Sequence, residues 1–130
     1  MKVVIDTNVI VSAMINQNGV PAKVITMVLS GMLTPLFDNR TMFEYFDVLS
    51  RKEFCFDAET VKHFVDYVKN AGEYVTADFL EMKFIDDTDK KFYELYTSGG
   101  AQYLITGNKK HFPAEKGIVT PREFLIPEQL

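Results

Sequence analysis

Apolar positions along this chain follow two rhythms, short uninterrupted runs and longer stretches that recur every three or four residues. Val3-Val4-Ile5 is a β-branched run closed by Asp6, the pattern of a strand buried on both faces of a parallel sheet. From Asn8 a helix carries Val9, Ile10, Ala13 and Met14; a second covers 22–29, opened by Pro21 and ended by Gly31. Residues 33–37 form a second strand, followed by a helix to about Arg51 with Phe43, Phe46 and Leu49 on one apolar stripe. Asp57 caps the clearest amphipathic helix, in which Val61, Phe64, Val65 and Val68 recur at helical spacing and Gly72 supplies a glycine stop.

Tyr74-Val75 is a brief extended piece, and Asp86-Asp87-Thr88-Asp89 leads into a helix with Phe92 and Leu95 that ends at Gly99-Gly100. Strands at 102–106 and 117–120 follow, with Gly107-Asn108 as a turn between them and a short helix opened by Pro121 at the end. Strands alternating with helices predict a three-layer α/β/α, Rossmann-like domain around a mainly parallel sheet, with right-handed crossovers.

Composition narrows the class. At 130 residues, 47% hydrophobic and 25% charged, the chain is expected to form one domain over 1–130. With 14 Lys and Arg against 18 Asp and Glu, the net charge of -4 argues against a protein that grips duplex nucleic acid through bulk positive charge. Cys55 is the only cysteine, so an intrachain disulfide and a multi-cysteine zinc site are excluded and a cytoplasmic location is expected. The apolar N-terminal run is interrupted by Asp6 and Asn8 and falls short of the ~20 residues a membrane span needs, so no membrane association is expected.

In an open parallel sheet, ligands bind beyond the carboxyl ends of the strands. Asp6, Asn108 and Asp89 stand just past apolar runs or at a helix start, and Glu44 sits early in the helix after the second strand. Carboxylates gathered at one edge raise one another's pKa, a conflict that a divalent cation removes; oxygen donors without a thiolate cluster favour Mg²⁺ or Mn²⁺. Each residue also has a plainer reading. Asp6 bonds the turn at Thr7-Asn8, Glu44 completes a capping box with Thr41, Asp86, Asp87 and Asp89 are solvated charges at a helix start, and Asn108 is a left-handed turn residue.

Five ordered segments resemble a PIN domain. They are Val4-Ile5-Asp6-Thr7-Asn8-Val9-Ile10-Val11-Ser12, Phe43-Glu44-Tyr45-Phe46-Asp47-Val48-Leu49-Ser50-Arg51, Asp86-Asp87-Thr88-Asp89-Lys90-Lys91-Phe92, Ala101-Gln102-Tyr103-Leu104-Ile105-Thr106-Gly107-Asn108 and Val119-Thr120-Pro121-Arg122-Glu123-Phe124-Leu125. The chain is most similar to the PIN proteins described as toxin components of prokaryotic toxin-antitoxin systems. The resemblance implies a metal-dependent endoribonuclease with Mg²⁺ or Mn²⁺ as cofactor, Asp6, Glu44 and Asp89 as its carboxylates, and Asn108 where the family usually has an aspartate.

With the amide at 108, a second metal is expected to bind more weakly or not at all. Thr7, Asn8 and Thr106 are candidates to orient the acids by hydrogen bonds, and Asp86 to stand behind them. RNA contacts are expected from the basic clusters Lys90-Lys91 and Lys109-Lys110-His111. Expected partners are RNA, an antitoxin protein and a second copy of the chain; an apolar helix face would suit a dimer, and the sequence leaves Phe64 and Val68 open between that face and the core. The alternative is a PIN-fold protein of weakened or lost catalysis that acts by binding a partner. A phosphoacceptor receiver-like domain would need an acceptor after a later strand, a role Asp38 and Lys109 fit poorly.

Overall fold

The computed structural model describes residues 1–126. The last four residues of the expected 1–130 domain lie outside that range. Five strands, β1 (Lys2–Ile5), β2 (Thr34–Phe37), β3 (Glu73–Tyr74), β4 (Tyr103–Ile105) and β5 (Ile118–Val119), form one sheet in the order β3-β2-β1-β4-β5. Every pairing is parallel. Among the described residues six helices, α1 (Thr7–Ile15), α2 (Val20–Leu29), α3 (Asn39–Leu49), α4 (Ala58–Ala71), α5 (Lys90–Gly99) and α6 (Pro121–Leu125), complete a three-layer α/β/α fold. No described helix is long and apolar enough to cross a membrane.

The strand order has a functional corollary. Crossovers from β1 to β2 and from β2 to β3 step one way along the sheet, whereas β3 to β4 steps back past β1. With right-handed connections the helices therefore go to opposite faces, and a crevice opens above β1 and β4 where the direction reverses. β1 is wholly buried from Val3 to Ile5, as its continuous apolar run requires. Its register pairs Val3 with Tyr103, Val4 with Leu104 and Ile5 with Ile105. Asp6 and Thr106, the next residues after the two strands, are thus delivered side by side.

The apolar stripe expected on α3 is rotated. Phe43 is 71% exposed and Phe46 52%, while Thr41, Tyr45 and Leu49 face the core at intervals of four. Two polar anchors fix that rotation. Asp38 caps α3 by accepting the Thr41 amide at 2.9 Å, and the Tyr45 hydroxyl donates to the Ile5 carbonyl at the end of β1. The capping box is therefore Asp38 with Thr41, and Glu44 takes no part in it.

On α4 the expected face is correct, with Val61, Phe64 and Val68 buried and Asp57 capping through the Thr60 amide. Phe64 and Val68 belong to the core, the one of the two places left open by the sequence that does not involve a dimer.

Gly72 does not end α4 by a left-handed turn, since its φ is -83° and its ψ -175°. Space is the reason for glycine there. A Cβ would stand 2.5 Å from the Pro35 carbonyl oxygen and 2.6 Å from that of Val68, both backbone atoms that cannot turn aside. Gly100, by contrast, has φ +63° and closes α5 in the left-handed region.

Between β3 and α5 the chain runs without regular structure from about 75 to 86. It is pinned by Glu94, a carboxylate only 2% exposed on α5, which accepts the Leu80 amide at 2.8 Å. Arg40 bridges Glu94 at 2.6 Å and Asp38 at 2.8 Å, so one guanidinium joins α5 to the cap of α3. Replacing Gly72 by Ala is expected to lower stability by about 1–3 kcal/mol in urea unfolding, the usual cost of overpacking; an unchanged midpoint would mean that β2 and α4 separate freely.

Candidate active site

The acids after β1, on α3 and at the start of α5 meet in one cleft above the β1/β4 crevice. Asp6, Thr7, Asn8, Ser12, Glu44, Asp89 and Asn108 line it, with Val11, Val48 and Phe54 as its apolar wall, in a volume of about 340 Å³. Asp6 is the most buried of these acids, at 4% exposed. Its carboxylate makes no capping bond to α1 and instead accepts from the Thr106 hydroxyl at 2.7 Å, across the crevice. Thr106 also accepts the Asn108 amide at 3.0 Å, and Asn8 accepts the Gly107 amide at 3.1 Å. Asn108 has φ -122°, outside the left-handed region, because these bonds shape the turn.

Burial is the main cause that pushes the Asp6 carboxyl up from 3.8 to about 6, opposed by the Thr106 hydrogen bond and reinforced by the charges of Asp89 and Glu44. Asp89 is likewise raised, first by burial, despite its bond to His111. Glu44 is placed by two partners. The Thr7 hydroxyl donates to one carboxylate oxygen, and the Lys91 ammonium lies 2.5 Å from the other. His111 Nδ1 is 3.1 Å from Asp89 Oδ2. Asp86 stays outside the cleft, where the Thr88 amide and hydroxyl bind its carboxylate and hold its pKa below the usual range.

The basic clusters divide once folded. Successive residues on a helix point about 100° apart, so only one of Lys90 and Lys91 can face the cleft. Lys91 does; Lys90 lies 4.1 Å from the centre of the Phe79 ring. Lys109 is paired with Glu123 at 3.0 Å, and Lys110 lines a neighbouring depression beside Lys83 and Phe112. The neighbours of the two acids are therefore Lys91 and His111. Sequence reasoning had placed both in its basic clusters without telling them from the lysines beside them, and had no signal for the Arg40 and Glu94 link.

A PIN domain family model matches residues 2–110, most of the chain. The chain belongs to the PIN domain family. PIN domains are generally nucleases and generally use divalent metals. No curated protein gives a significant match.

For this PIN domain the donor chemistry is that of a hard cation's ligands: three carboxylates and one amide oxygen border the cleft, and burial, with repulsion from Asp89 and Glu44, raises Asp6. Among the described residues, no three acidic, histidine or cysteine side chains are close enough together to enclose an ion. Lys91 and His111 each occupy an oxygen of the acids that would have to converge.

The raised Asp6 carboxyl has a stability consequence. Between about pH 4 and 6 the folded chain retains a proton that the unfolded chain has released, so stability falls as pH rises through that window and stays lower above it. Metal-free Asp6→Asn is therefore expected to unfold at higher urea than the native chain at pH 7.5, by about 1–3 kcal/mol, with the gap closing towards pH 4. Equal stability at pH 7.5 would show that Asp6 ionises without penalty.

Proposed function

We propose that this PIN domain is a metal-dependent endoribonuclease of the cytoplasm, the toxin of a toxin-antitoxin pair. The observation that carries the reading is the convergence of Asp6, Glu44, Asp89 and Asn108 on one cleft at the switch point of the sheet. Asp6 and Asp89 would hold Mg²⁺ or Mn²⁺, with oxygens of Glu44 and Asn108 on the remaining sides. Such an ion, when bound, lowers the pKa of a water and offsets charge developing on the phosphate.

The chain's own residues set the geometry. Thr106 holds one oxygen of Asp6, Thr7 orients Glu44, and His111 orients Asp89. Each is held from behind by a side-chain contact, so little reorganisation is left for the chemical step. Hydrolysis adds water across a P–O bond of RNA without a covalent enzyme intermediate. Lys110, in the depression next to the cleft, would meet the RNA backbone, and Lys90 and Lys109 would do so at the expense of their contacts with Phe79 and Glu123.

A second reading is supported by a specific observation. Phe43 and Phe46 are exposed on the helix that carries Glu44, and a partner seated there would lie next to the cleft. An antitoxin protein or a second copy of the chain fits that position. With catalysis weakened by Asn108, partner binding would be the main activity.

Incubation of purified protein with Mn²⁺ and a pool of RNAs separates the readings. The native chain is expected to cleave, Asp6→Asn to lose activity by at least about 100-fold, and Asn108→Asp to gain. Undiminished cleavage by Asp6→Asn would sink the site assignment, and three inert proteins would leave partner binding as the function.

A further inference from the structure

A depression lies beside the cleft, on the far side of the pair formed by His111 and Asp89. His111 lines it, and Nδ1 of the same ring stands 3.1 Å from Oδ2 of Asp89, which lines the cleft. Two chain segments run from one concavity to the other. Residues 82–85 lead into the turn that carries Asp89, and Asn108 at the cleft opens the short helical turn Lys109–His111. The depression has a volume of about 220 Å³. Sites that enclose a drug-sized ligand take about 300–1,000 Å³, so this one admits a single ring system.

Its walls are of two kinds. At the bottom Phe112, 7% exposed, meets the half-buried Phe84 edge to face, with ring centres 5.8 Å apart. Ile85, 78% exposed, and Met82 form an apolar rim. Large apolar side chains left open beside a concavity mark a contact surface. Lys83 and Lys110 complete the rim, and both are exposed. Among the described residues neither pairs with a carboxylate, and no acid lines the depression, in a chain whose net charge is -4. The matching occupant offers an apolar ring and negative charge together, and extends past His111 into the cleft.

We propose that this depression is a nucleobase subsite: single-stranded RNA crossing the cleft sets the base of a neighbouring nucleotide against Met82, Phe84 and Ile85, with Lys83 and Lys110 on the flanking phosphates. The inference rests on the ribonuclease reading above for its polyanion. It adds that the strand enters unpaired, because a base stacked in a duplex has no free face to offer the apolar rim. Every base has such a face, so the subsite fixes the position of the strand and not its sequence. His111, between depression and cleft, keeps the held base one side chain away from Asp89.

Fluorescence anisotropy in EDTA tests it without cleavage. The probes are a labelled pool of random-sequence RNA hexamers and the abasic hexamer, which keeps the ribose-phosphate chain and lacks the bases. The native chain is expected to bind the pool about tenfold more tightly than the abasic strand. The double substitution Met82→Ser, Ile85→Ser, at two exposed positions, is expected to abolish that preference and leave the abasic affinity unchanged. Lys83→Gln and Lys110→Gln are expected to weaken both probes, each lowering the slope of log affinity against log salt by about 0.7. Lys23→Gln, on α2 and outside both concavities, is expected to change neither. No preference for bases in the native chain, or a preference that survives the double substitution, would overturn the proposal. So would unchanged RNA affinity in a doubly substituted chain that has turned from dimer to monomer, which would make the rim a contact with a second copy. Base-dependent binding that the double substitution abolishes, with no RNA cleaved in Mn²⁺, supports the subsite and removes only the ribonuclease reading; cleavage by a chain without base preference does the reverse.

Discussion

The hydrogen bond from Thr106 to Asp6 joins residues a hundred positions apart at the point where the sheet changes direction. It follows from register. Once Ile5 stands beside Ile105, the first polar residue beyond each strand has only the other for company in a buried crevice. A carboxylate there without a donor would be too costly to keep, because burial, with the charges of Asp89 and Glu44, pushes its carboxyl up to about 6 even with that bond made. The threonine thus lets an acid exist at the one place in a parallel sheet where ligands converge, and Glu44, Asp89 and Asn108 are arranged around it.

The other acids arrive by a different route. α3 is rotated by the Asp38 cap and the Tyr45 hydroxyl, which turns Glu44 to the cleft and two phenylalanines to solvent. The 3₁₀ turn at Asp87–Asp89, capped by Asp86, sets Asp89 at the mouth of α5 and Lys91 two residues further on. Local charge balance, and not the net charge of the whole chain, decides what the cleft can accept.

Much of this was legible in the residues. Five strands, the buried face of α4 and the convergence of Asp6, Glu44, Asp89 and Asn108 follow from apolar runs, caps and their order. What escaped was set by tertiary hydrogen bonds. Phe43 and Phe46 keep helical spacing with Leu49, yet the polar residues Asp38, Thr41 and Tyr45 outweigh them by fixing the helix rotation. Gly72 suggested a backbone angle, whereas the need was room beside Pro35. The division of labour between Lys90 and Lys91, adjacent and alike in sequence, exists only once α5 is packed.

The irregular stretch from 75 to 86 is the kind of connection that ordinarily tolerates insertion and deletion. Here its middle is tied at Leu80 to Glu94, which sits on the same helix as Lys91 and is bound through Arg40 to the cap of the helix bearing Glu44. The length of that stretch is therefore part of the metrology of the site. A residue gained or lost between Val75 and Asp86 must be absorbed at the Leu80 tether or passed on as a displacement of α5, so selection on cleft geometry extends to a segment that supplies none of its acids.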